Sequence, residues 1–230
     1  MVISLPLILG IIPPLLWLVF FLNEDWRHPE PKRLILLLFI AGGVAAVLAI
    51  LPEYFIDRKF PLAPGVPPEL SPLLFPFALI EELAKFGIVY LIVRPNKYFD
   101  ERVDAMIYMI TAALGFAALE NVLNLFGNEA IVEVALLRGI GATLLHALAA
   151  AVLGFYWAKG RIATGIIGAT LLHGSFNYLI LKVASTVLYP SVLLFLAAIF
   201  VFRDFEILKD EDYLASRRIL PKSKAAPTTK

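Results

Sequence analysis

There is no cysteine in the 230 residues, so disulfide staples, thiolate metal sites, iron–sulfur clusters, thiol nucleophiles and cysteine-linked lipid anchors are excluded together. Charge is scarce too. Asp, Glu, Lys and Arg make up 17% of the chain and the formal net charge is +1. A phosphate-binding surface needs a clear basic excess, so nucleic acid is not an expected partner. Histidine occurs only three times. Apolar residues are abundant: at 60% hydrophobic, the chain cannot cover itself with polar surface, and it reads as an integral membrane protein in contact with the lipid bilayer.

A hydrocarbon layer of ~30 Å is crossed by about 20 helical residues. Seven apolar stretches approach that length, at 3–22, 34–51, 72–93, 103–126, 134–158, 162–181 and 187–202. The expected fold is an all-α polytopic membrane protein, a bundle of about seven transmembrane helices. Residues 1–202 form one membrane domain with its motif-bearing core at about 72–182, and 203–230 form a cytoplasmic tail that starts as a charged helix and ends disordered. The first stretch lacks a basic start and a small-residue cleavage site, so it reads as a retained helix, kinked at Pro13-Pro14. Trp17, Trp26 and Trp157 read as interfacial anchors. Five prolines between Phe60 and Pro72 make a stiff loop, expected to guide or gate access at the outer mouth.

Polar groups inside such spans are costly, and they tend to face a cavity or a partner. The third span carries Glu81, Glu82 and Lys85, the fourth Glu120, Asn121 and Asn124, the fifth His146, and the sixth His173 and Asn177. Counted along each helix, Glu81, Glu120, His146 and His173 all fall about 9 to 18 Å below the same boundary, which places a shared site in the outer half of the membrane. Spacings of three and four put Glu81 and Glu82 beside Lys85, and His173 beside Asn177.

Glu81-Glu82-x-x-Lys85, Phe116-x-x-x-Glu120-Asn121, a histidine at 146 and His173-x-x-x-Asn177, in this order, resemble the PrsW-type intramembrane proteases, relatives of the CAAX-prenyl and bacteriocin-processing superfamily. The resemblance covers about 75–181. It departs at Asp104-Ala105-Met106-Ile107-Tyr108-Met109, where glycines are expected after the aspartate and the tyrosine. It implies hydrolysis of a membrane-anchored protein or peptide substrate, such as an anti-sigma factor, near the outer face.

The residues suit that chemistry. Glu81 can be the base that activates water, His173 can orient the water or shuttle protons, and Asn177 can donate to the oxyanion. Lys85 can hold Glu82 or Glu81 ionised, with Asn121 in support. Glu81, Glu82, Glu120 and Lys85 together carry a formal charge of −2, which a divalent cation such as Zn2+ held by Glu120, His146 and His173 would balance. Protonated carboxyl groups would balance it without metal. Other protease chemistries lack their motifs: there is no His-Glu-x-x-His, no aspartate deep in a span, and no glycine-flanked nucleophile turn around Ser175. A proton-coupled transporter or channel fits the same residue types less well, because the other halves of the spans are nearly all apolar. A non-catalytic membrane scaffold is the third reading.

Lysine and arginine are unevenly distributed. With seven spans, fifteen fall on the side of the C-terminus and four (Arg58, Lys59, Arg138 and Lys182) on the other, so the N-terminus is expected outside and the C-terminus in the cytoplasm. The absence of native cysteine gives a direct check by labelling single-cysteine variants with a membrane-impermeant maleimide. Gly65→Cys should react from outside in intact cells and Lys97→Cys only after lysis; the reverse pattern would invert the placement of the site.

Overall fold

The computed structural model describes residues 4–25, 28–182 and 187–219, so Trp26, Arg27 and the end of the tail from 220 lie outside the described residues. Every regular element among the described residues is helical. Seven helices follow one another: α1 (Ser4–Leu22), α2 (Lys32–Lys59), α3 (Leu74–Val93), α4 (Asp104–Leu125), α5 (Ile131–Ala158), α6 (Ile162–Lys182) and α7 (Leu188–Ile219). The third expected stretch thus begins helically at Leu74, and the second extends past Leu51 through Pro52 to Lys59.

Five helices (α1, α2, α4, α5 and α6) are long and apolar enough to cross a membrane by length and composition. The 20 residues of α3 include three charges, Glu81, Glu82 and Lys85, and the apolar stretch of α7 runs to Phe202, where its charged extension begins. Around the bundle, side chains such as Leu16, Val19, Leu36, Leu48, Ile167 and Phe195 stand exposed, forming the apolar coat that a lipid environment solvates. The protein is a multi-pass membrane protein.

Helix α4 is the axis. From Asp104 to Ala118 each of its residues is buried, which is why its sequence is apolar all round instead of striped. It is enclosed by α1, α2 and α5, while α3 packs between α2 and α6. Without a hydrophobic effect between helices in lipid, close approach depends on small residues. At the α2–α4 crossing a Cβ on Gly42 would lie 1.8 Å from the Ala112 carbonyl oxygen, and one on Gly115 would lie 1.8 Å from that of Phe39. The two backbones touch through these glycines, and that contact holds Glu120, five residues beyond Gly115, at a fixed height.

The charged extension of α7 spans the end of the bundle opposite the site. Phe205 and Leu208 are fully buried, Asp212 accepts the backbone N–H of Arg102 at 2.9 Å and of Val103 at 3.2 Å, and Lys209 pairs with Glu24 at 2.7 Å. Glu211 pairs with Arg102 at 2.6 Å and with Lys159, whose charge and hydrogen bond hold its carboxyl below the usual range. The extension thus caps the start of α4 and ties three connectors together. At the site end, the proline-rich loop forms a short helical turn at Pro68–Leu70 and is tethered by Glu69 to Lys182 at 3.6 Å.

The glycine contact is directly testable. Gly42→Ala and Gly115→Ala should cost at least about 1–3 kcal/mol, because backbone must move to admit the methyl group. Gly43→Ala, whose Cβ would meet nothing closer than 3.7 Å, should melt within a degree or two of wild type in detergent.

Candidate metal and catalytic centre

Four helices contribute one ionisable cluster at the same depth. From α3, Glu82 and Lys85 are fully buried and face inward one turn apart, with Lys85 Nζ 2.8 Å from Glu82 Oε1 and 3.5 Å from Glu81 Oε2. From α6, His173 Nδ1 lies 2.9 Å from the same Glu82 Oε1. From α5, His146 Nε2 lies 2.8 Å from Glu120 Oε2 of α4. The two imidazoles meet edge to face, with centroids 4.9 Å apart.

These contacts fix the tautomers. A carboxylate accepts only, so His173 must carry its proton on Nδ1, toward Glu82, and His146 on Nε2, toward Glu120. The lone pairs are then on His173 Nε2 and His146 Nδ1. Each lies 3.9 Å from a single atom, Glu81 Oε2. Glu81, His146 and His173 therefore present one oxygen and two nitrogens within 4.8 Å of one another, a set that could hold a metal ion. Each histidine's outer nitrogen is bound to a carboxylate, the arrangement that orients metal-ligating imidazoles and raises their basicity. Two histidines with one carboxylate also suit zinc.

The carboxylate in this group is Glu81, whereas the sequence groups Glu120 with the two histidines. The Glu120 carboxylate is taken by His146 and by Arg138, whose Nη2 lies 2.7 Å from Glu120 Oε1. Lys85 occupies the other approach. Its ammonium donates to His146 Nδ1 at 2.9 Å and lies 4.3 Å above the Phe116 ring, so a metal at the cluster would displace it from that nitrogen.

Asn121 makes its contacts outside this group. Asn121 donates to Thr143 Oγ1 at 2.9 Å and accepts from Arg138 Nε at 2.9 Å, so it links α4 to α5. Asn177 lies one turn beyond His173, half-buried, and makes no side-chain hydrogen bond among the described residues. Asn124 bonds back to the Glu120 carbonyl of its own helix. Two residues were not singled out from the sequence as part of the site. Arg138 was counted only as an outer basic charge, although it is an isolated arginine eight residues before His146 in an apolar run. Glu53 of α2 has a buried Oε1 without a hydrogen-bond partner among the described residues, and it lies beyond the stretch assigned to the second span.

Comparison with known proteins places the chain in a family. The chain is 31% identical over 181 residues to Protease PrsW of Geobacillus kaustophilus (strain HTA426), covering 75% of this chain and 78% of that one. It is 30% identical over 190 residues to Protease PrsW of Bacillus subtilis (strain 168), covering 78% and 84%. Against Protease PrsW of Clostridioides difficile (strain 630) the identity is 26% over 191 residues, covering 76% and 78%. No solved structure matches. The family model for PrsW family intramembrane metalloproteases matches residues 30–203, a segment that holds all four helices of the cluster, and the chain belongs to that family of intramembrane proteases.

Proposed function

We propose that the chain hydrolyses a peptide bond of a membrane-anchored protein substrate at a metal centre held by Glu81, His146 and His173. The observation that carries this reading is the convergence of two histidine lone pairs on one glutamate oxygen, at 3.9 Å each, in a family described as metalloproteases. A zinc ion bound there would acidify a water molecule and polarise the scissile carbonyl. The chain's own residues do the rest. Glu82 orients His173 and has a free buried oxygen, Oε2, that can accept the water's proton. Glu120 orients His146. Lys85 keeps Glu82 ionised. Asn177, with no partner among the described residues, has an amide free to donate to the developing oxyanion.

A second reading has its own observation. Lys85 Nζ already sits among Glu81, Glu82 and His146, so an ammonium could supply the positive charge, with Glu81 acting as the base that activates water without metal. In either reading the site faces outward, with the N-terminus outside and the C-terminus in the cytoplasm, and an anti-sigma factor cut near its outer face is a substrate of the right kind. Mass spectrometry of membrane proteins that accumulate when the enzyme is inactivated would identify both substrate and cut site.

Elemental analysis separates the two mechanisms. Active protein should carry about one zinc per chain, lose activity with chelator and regain it with zinc; active, metal-free, chelator-resistant protein would establish the second reading. Glu81→Gln, His146→Ala and His173→Ala should each lower turnover by at least ~10² while inserting and purifying normally. Near wild-type turnover in Glu81→Gln would remove that residue from both mechanisms.

A further inference from the structure

Helix α5 is not regular. Between Arg138 and Ala142 it widens into a π-turn, in which the Thr143 N–H bonds back five residues to the Arg138 carbonyl. Such turns inside α-helices occur often at functional sites. Here the turn has a geometric effect that can be worked out. Arg138 and His146 are eight residues apart, and eight residues of regular α-helix advance about 80° past two full turns, onto a different face. The extra residue absorbed by the π-turn leaves the pair about 20° short of two turns, on the same face. Both side chains therefore reach Glu120.

The turn is held from outside by α1. Trp17 Nε1 donates to the Gly139 carbonyl at 3.0 Å, and a Cβ on Gly139 would come within 2.9 Å of Pro13. On the inner side Arg138 makes two contacts with different roles. Its Nε donates to Asn121 Oδ1 at 2.9 Å, which fixes the guanidinium; its Nη2 stands 2.7 Å from Glu120 Oε1 but off the hydrogen-bond axis, so that contact is a charge pair. Asn121 is itself anchored to Thr143. A relay thus runs from Thr143 through Asn121, Arg138 and Glu120 to His146 Nε2.

We propose that Arg138, aimed by the π-turn, is a positioning residue that keeps Glu120 as the acceptor for His146 Nε2–H and so keeps the His146 Nδ1 lone pair turned toward Glu81 and His173. Without the guanidinium, Glu120 would lose the contact that holds its carboxylate in place and could turn away from His146. That change frees the imidazole to rotate. This inference rests on the proposed metal site, and its test separates the two.

The test uses the full chain in detergent, with zinc affinity read by competition against a chromophoric chelator. Arg138→Met should weaken zinc binding about 10- to 100-fold, the range for losing a group that orients a metal ligand, while the metal-free protein melts within a few degrees of wild type. Arg138→Lys should recover part of the affinity, because it restores the charge beside Glu120 but not the planar bond to Asn121. Glu120→Gln combined with Arg138→Met should be no worse than the more severe single variant, since both break one relay. His146→Ala is the control for the metal site itself. If it abolishes zinc binding while Arg138→Met leaves affinity unchanged, the positioning role is overturned and the site stands. If wild type binds no zinc, the metal reading fails, and nitrogen NMR of the three histidines still decides the role of Arg138. His146 should be protonated on Nε2 in wild type and lose that preference in Arg138→Met; an unchanged tautomer would overturn the inference.

Discussion

A charge in hydrocarbon must find a partner or give up its charge, and this constraint organises the bundle from the centre outward. Translocon scales put the cost of one Asp, Lys or Arg at mid-membrane at roughly 2.5–3.5 kcal/mol, and here glutamate, lysine, arginine and histidine side chains from four helices share one layer. Each is placed against another. Lys85 lies between Glu81 and Glu82, His173 rests on Glu82, and His146 is held between Glu120 and Lys85. The glycine contact of α2 with α4 and the cap that Asp212 places on the start of α4 matter because they hold Glu120 at the height where this pairing closes.

The same pairing explains how so few residue types make a directed site. Two identical imidazoles are given opposite tautomers by the carboxylates behind them, and so aim opposite ring nitrogens at one oxygen. The protons are placed by the carboxylates behind the rings. The unprotonated ring nitrogens thus face Glu81 on the inside, while the protonated ones are satisfied by carboxylates.

Much of this was legible in the sequence because polar residues stand out against an apolar background. Glu81, Glu120, His146 and His173 could be assigned to one layer by counting along each span, with Glu82 and Lys85 tied to Glu81 by helical spacing, and the structure brings these six together in one cluster. Which carboxylate faces the histidine lone pairs was not legible, since Glu81 and Glu120 differ only in the direction their helices turn them. The role of Arg138 was hidden for a related reason: regular helical spacing puts it on the wrong face from His146, and no residue in Arg138–Ala142 announces a π-turn. Glu53 was missed because Pro52 reads as the end of a span, whereas α2 continues through it.

The intrahelical spacing of Glu82 and Lys85 bears on how the protein is made. Because the pair is three residues apart on a single helix, it can form as soon as α3 is helical, before any neighbour has arrived. Helix α3 carries three charges in its middle, and as a nascent segment it would be a poor candidate for lateral release into lipid. An ammonium folded back onto its own carboxylate lowers that barrier, leaving Glu81 as the one formal charge that must wait for α5 and α6. Biogenesis thus reaches the assembled site through a helix that neutralises most of itself first, and the last charge to be covered is the one on which both histidines converge.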